Sequence, residues 1–164
     1  SGLLLMYACD LREAGETKEE IVRKVSSRVP SVQASFIIDK LNYLYKGGRC
    51  SGVALFAATA LNLKPCIKVK DGKMIVGKKY MGRLSGVLEK YVNDILNEFD
   101  NPDYTRIFVT HTKFPPELVE AVKARLKQTP FKEIIETTAS CTITSHCGPN
   151  TLGILYINDG GKVE

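Results

Sequence analysis

The sequence predicts an α/β fold, a mixed β-sheet with packed helices. Three observations carry this. Strand-like and helix-like segments alternate along most of the chain. One neighbouring pair of strands flanks Asp71-Gly72 and reads as an antiparallel hairpin, so the sheet is not purely parallel. No apolar run approaches the roughly 20 residues a membrane-spanning helix needs, so the apolar segments are available for a core.

The elements follow in order. Residues 2–14 read as a helix, with Leu4, Ala8 and Leu11 at helical spacing and Gly15 to end it. Thr17 and Glu20 have capping-box spacing. They start a second helix that turns Ile21, Val22 and Val25 inward and stops at Pro30. SVQASFIID (31–39) is rich in β-branched and aromatic residues and reads as a strand. KLNYLYKGGRC reads as a short helix broken at Gly47-Gly48. SGVALFAATALNL (51–63) is apolar on nearly every side, the mark of a helix buried all round. Its small residues, Gly52, Ala54, Ala57, Ala58 and Ala60, allow close approach or leave a slot, and Pro65 ends it. CIKVKDGKMIV is a hairpin of two strands with the Asp-Gly pair of a type I′ turn. Residues 83–99 form an amphipathic helix through Leu84, Val87, Leu88, Tyr91, Ile95 and Leu96. TRIFVTH (105–111) is a strand. Pro115-Pro116 open a helix that runs to about residue 127, since proline is tolerated in a first turn. FKEIIETTA and TLGILYI are the last strands, and NDGGKVE is expected to fray.

Bulk properties narrow the function. The 164 residues are 44% hydrophobic and 25% charged, enough chain to bury roughly two thirds of its unfolded surface. SGLLLMYACDLREAG turns polar too early for a signal peptide. The net charge of +5 is spread along the chain with acids interleaved. That argues against nucleic acid as a partner and leaves room for a basic docking face. Five cysteines without a C-x-x-C pair suit free thiols in a reducing compartment. A soluble cytoplasmic protein with no stable membrane insertion is expected.

CTITSHCGPNTLGILYI (141–157) concentrates the polar chemistry. Cys141, His146 and Cys147 lack the paired spacing of a structural zinc site, and a fourth ligand is not in view. His146 and Cys147, read as neighbours in an extended segment, point to opposite faces and make a poor dyad. His111 has no identifiable cysteine partner. KGGRCSGVALF places glycines before a helix but matches neither the Walker pattern nor G-x-G-x-x-G. No catalytic residue, metal or cofactor is therefore expected. From the residues alone His146 reads either as a turn histidine or as the polar rim of an apolar cavity.

Four segments, in order, resemble the DegV-like fatty-acid-binding family: FIIDKLNYLYKGGR, LNLKPCIKVKDGKM, MGRLSGVLEKYV and SHCGPNTLGILY. The resemblance implies the C-terminal domain of a two-domain DegV-like fold, with the amino-terminal domain missing. It divides the chain into 1–30 as a helical connection to that domain, 31–158 as an α/β lipid-binding domain, and 159–164 as a tail. It implies a carrier and not an enzyme. A long-chain fatty acid is then the bound ligand, and its carboxylate is presented to a fatty acid kinase. By position, His146 is the implied carboxylate contact. Arg49 and Arg83 are the implied domain-junction or kinase-docking residues, and Asp39 is expected to cap the helix beginning KLNYLY. The family's TGPG reads Cys147-Gly148-Pro149-Asn150 here. Asn tolerates the left-handed backbone that glycine would adopt, so the turn is expected to survive. The competing reading is an interaction or regulatory domain that binds no lipid.

Overall fold

The computed structural model describes residues 1–48 and 63–161. Arg49 and the apolar helix expected over 51–63 lie outside these residues, except for Leu63, which opens a strand.

Helix α1 (Gly2–Glu13) ends as expected, with Gly15 at φ 84. Its buried stripe is Leu3, Tyr7 and Leu11, which keeps the expected Leu11 and lies one step before the expected Leu4 and Ala8. Helix α2 (Lys18–Arg28) begins at Thr17, whose hydroxyl accepts from the Glu20 N–H at 3.3 Å. Only half of the capping box forms, because the Glu20 carboxylate pairs with Arg23 instead. Val22 is 59% exposed, contrary to expectation, while Ile21 and Val25 are half-buried. The buried residue of α2 is Arg28.

The other described elements are β1 (Val32–Ile37), α3 (Asn42–Lys46), β2 (Leu63–Lys70), β3 (Lys73–Met81), α4 (Leu84–Glu98), β4 (Arg106–His111), α5 (Pro116–Leu126), β5 (Glu133–Thr138), α6 (Cys141–Cys147) and β6 (Leu152–Ile157). The β2–β3 hairpin turns at Asp71 (φ 50) and Gly72 (φ 70), both left-handed as a type I′ turn requires. Pro65 is a strand residue. It lies inside β2 at a bulge, one of the few places where a strand accepts proline. The segment 141–147, expected to be extended, is helical because the Ser140 hydroxyl caps the Ile143 N–H at 3.4 Å and Gly148 leaves the helix at φ 77.

The six strands form one mixed sheet in the order β3-β2-β1-β6-β4-β5. Only β4 and β5 run parallel. One face is covered by α4 and α5 and holds the main core, including Ile37, Tyr91, Ile107, Leu126, Ile154 and Tyr156. Under α4 the buried polar groups are bonded in a chain. Gln33 donates to the Ser35 hydroxyl, Ser35 and Tyr91 hydroxyls lie 2.9 Å apart, and the Ile154 N–H donates to Tyr91. The opposite face carries Ala34, Phe36, Met74, Val76, Phe108 and Leu155, all half-buried.

The opening helices are tied to the sheet and to the chain's end. Arg106 pairs with Asp10 of α1. Arg28 bonds Asp103 at 2.6 Å and Asp159 at 2.7 Å, and its guanidinium lies 4.5 Å from the centre of the Tyr7 ring. The Asn158 N–H donates to Ser31 and the Gly160 N–H to Asn101. Residues 158–161 are thus clasped rather than frayed.

Candidate functional site

The register of the sheet gathers one set of ends together. Ile37 faces both Cys66 and Leu152, Leu63 faces Met81, and Leu152 faces His111. The ends of β1, β3, β4 and β5 and the starts of β2 and β6 therefore share one edge. There α3 and α6 pack together over a second apolar cluster of Ile38, Leu44, Ile67 and Cys147, with Phe36, Leu41, Met74 and Val76 against it.

His146 sits in the last turn of α6, half-buried. Its Nδ1 is buried and has no hydrogen-bond partner among the described residues. The ring lies against the C-terminal end of α3, so close that a methyl group on Gly47 would come within 2.1 Å of Nδ1. His146 is thus a helical residue, not a turn residue. On a helix, His146 and Cys147 are about 100° apart, which replaces the opposite-face geometry expected of an extended segment. Cys147 is buried in the cluster while His146 stands at its rim.

The turn after α6 is held by groups that the sequence did not single out. The Thr112 hydroxyl donates to the Gly148 carbonyl at 2.9 Å and accepts from the Thr151 N–H at 3.2 Å. The Asn150 N–H donates to the Lys113 carbonyl, and Asn150 adopts φ 57, the left-handed backbone expected of it. Asp39 does not cap α3, whose N-cap is Leu41 without a side-chain bond. Asp39 instead accepts from Lys64 on one oxygen and from the Asn150 amide at 3.4 Å on the other. Burial acts to raise the Asp39 carboxyl, but the Lys64 ammonium outweighs it, helped by Asn150, and holds the group below the usual carboxylate range. Asp39 therefore joins β2 to the turn. Thr112 and Lys64 carried no motif; their roles depend on partners far along the chain.

Arg83 is exposed and precedes α4, where its side chain makes no cap bond. It lies at the same sheet edge as His146, and the described contacts do not bring the two together. His111 uses both ring nitrogens elsewhere, Nδ1 at the Thr112 carbonyl (2.6 Å) and Nε2 at Glu136 (3.1 Å). Among the described residues no group of three or more His, Cys, Asp or Glu could hold a metal ion, and no helix is long and apolar enough to cross a membrane. The apolar cluster next to His146 continues onto the half-buried sheet face of Phe36, Met74 and Val76. The clefts of about 200, 520 and 380 Å³ lie away from His146, beside Arg28, between α4 and α5, and under the hairpin respectively.

Comparison with known proteins adds the following. A family model described as "Uncharacterised protein, DegV family" matches residues 1–159. A DegV domain-containing protein of Caldanaerobacter subterraneus is 29% identical over 158 residues, covering 95% of this chain and 55% of the relative. A fatty acid-binding protein of Thermotoga maritima is 26% identical over 148 residues, covering 89% and 51%. The chain thus spans about half the length of the curated relatives it matches. The Streptococcus pneumoniae Fatty Acid Kinase (Fak) B3 protein, loaded with linoleic acid, superposes with a TM-score of 0.81 at 19% identity, covering 96% of this chain and 55% of that one. That last likeness is one of fold.

Proposed function

This chain belongs to the DegV family, and on that premise we propose that it is the fatty-acid-holding part of a carrier, with His146 as the carboxylate contact. The observation that carries the proposal is the position of His146. An imidazole stands at the rim of an apolar cluster, at the edge where that cluster opens onto the half-buried face of Ala34, Phe36, Met74, Val76 and Leu155. The acyl chain lies along this face.

The energetics suit that arrangement. Burying a methylene contributes about 0.8 kcal/mol, so ~15 methylenes give a gross drive of roughly 12 kcal/mol. Ordering the chain and losing free motion offset much of it. The apolar wall therefore supplies affinity and little discrimination, about 1 kcal/mol per carbon. The carboxylate is the costly end, several kcal/mol if desolvated without partners. Nδ1 is unpaired among the described residues in either tautomer of the neutral ring; we place the proton on Nε2, which avoids burying an N–H without an acceptor beside α3. Nε2–H is then the donor offered to the carboxylate.

A rim position also keeps the head group reachable for phosphoryl transfer by a fatty acid kinase. Arg83, exposed at the same edge, belongs to the domain-junction or docking face; Arg49 is assigned the same role by family resemblance alone. The chain acts as a carrier; the kinase performs the chemistry. The test is native mass spectrometry of the purified full-length protein, followed by oleate titration of the delipidated protein. Long-chain acids should co-purify, and His146→Ala should weaken oleate binding by about tenfold or more, the loss of a charge-assisted hydrogen bond. A protein that carries no acid and retains no added oleate refutes the proposal. Unchanged binding in His146→Ala removes His146 from the site.

A further inference from the structure

We infer that Gly47 is a positioning residue for His146, and that its missing side chain determines which ring nitrogen the site offers. This rests on the carboxylate reading above. Two adjacent glycines end α3, and they are glycine for different reasons. Gly48 has φ 65, a backbone that side chains disfavour. Gly47 has φ −77 and ψ −2, which any residue adopts. No backbone demand explains glycine at 47.

Space explains it. A Cβ on Gly47 would lie 2.1 Å from His146 Nδ1, 3.0 Å from Cε1 and 3.2 Å from Cγ. The His146 ring occupies the place where a side chain would be. The contact has a counterpart in the other direction. A Cβ on Gly148 would lie 2.4 Å from Tyr43 Cδ2 and 2.7 Å from Cε2. Each of the two short helices thus lays a ring on a glycine at the end of the other. The seat buries the Nδ1 edge of His146 against α3 and leaves it without a partner among the described residues, so the donor-bearing Nε2 is the nitrogen left for a ligand. An alanine at 47 keeps the backbone and forces the ring to swing about its own torsions. That exposes Nδ1 and turns the Nε2 donor away.

The test compares wild type, Gly47→Ala, His146→Ala and the double variant in the delipidated full-length protein. Oleate affinity is measured by calorimetry, urea midpoints give stability, and nitrogen-15 NMR gives the His146 tautomer. Gly47→Ala should weaken oleate binding by about tenfold or more and shift the His146 ring signals away from the Nε2–H tautomer. The same substitution should add nothing once His146 is alanine. In that background its stability cost should vanish or reverse, since alanine suits this backbone better than glycine. Wild-type affinity with an unchanged tautomer in Gly47→Ala overturns the inference. So does a loss that persists undiminished in the His146→Ala background. If the wild type binds no oleate, the carrier reading fails, and the tautomer and the urea cycle still decide whether Gly47 seats the ring.

Discussion

Replacing Arg28 with methionine should destabilise this protein far more than an arginine on a short amphipathic helix suggests. Methionine keeps much of the aliphatic bulk and removes the charge. The guanidinium is 4% exposed, and the carboxylates of Asp103 and Asp159 are 15% and 16% exposed. Removing one partner of a buried ion pair costs about 3–5 kcal/mol, because the remaining charge is left uncompensated. The low end applies here. Asp103 keeps the N–H and hydroxyl of Thr105, and Asp159 keeps the Gly161 N–H. A loss of about 3 kcal/mol corresponds to a Tm lower by ~6–12 °C for a domain of this size. Urea and thermal unfolding, followed by circular dichroism, measure it. Converting Asp103 and Asp159 to asparagine in the Arg28→Met background should recover at least half of the loss, since the three groups act together. A loss under about 1 kcal/mol would refute the reasoning. It would mean that the carboxylates rehydrate freely and that the clasp contributes no more than a surface ion pair.

Two further outcomes follow from titratable groups. Asp39 and Asp103 both titrate below the usual carboxylate range. Burial acts to raise each, and it is outweighed by Lys64 at Asp39 and by Thr105 and Arg28 at Asp103. A depressed folded value means that the stability they add is present above the unfolded value of about 3.9 and is lost as pH falls through the lower folded values. Urea midpoints should therefore fall below about pH 4, and Asp39→Asn with Asp103→Asn should fall less steeply; equal slopes would remove these two groups from the acid response. Among the described cysteines, Cys9 and Cys141 are exposed while Cys66 and Cys147 are buried, and burial pushes the Cys66 thiol up to about 12. A disulfide reagent at pH 8 should label Cys9 and Cys141 quickly and Cys66 only on unfolding. Fast labelling of Cys66 in the native protein would contradict the packed interior under α4.

The parts of the fold that were legible in the sequence are those decided by near neighbours. Asp71-Gly72 set their own turn, Thr17 finds the Glu20 N–H three residues on, and Asn150 takes the left-handed backbone its side chain permits. The misread parts depend on distant partners. Thr142, Ile143 and Thr144 are β-branched and weak helix formers, so 141–147 looked extended. The Ser140 cap and the seating of α3 on Gly148 make it helical. Asp39 had the chemistry of a helix cap, but Lys64 and Asn150 claim both of its oxygens. Val22 shares the period of Ile21 and Val25, yet periodicity shows only that a face exists and not how far its neighbours cover it. Arg28 gave no signal at all, because its partners lie 75 and 131 residues away. For the candidate site, His146 was singled out at its residue number, while its geometry was not. Thr112 acts through backbone bonds that no local pattern encodes.

The strand order has a consequence for the chain as it leaves the ribosome. Val32 lies opposite Ile157 and Ile37 opposite Leu152, so the inner strand β1 waits for a partner made long after it. Closing so long a loop is entropically costly and slow. Until then the early strand keeps an unpaired edge open to other nascent chains. Synthesis that stalls before Leu152 should yield aggregates and not a smaller folded body.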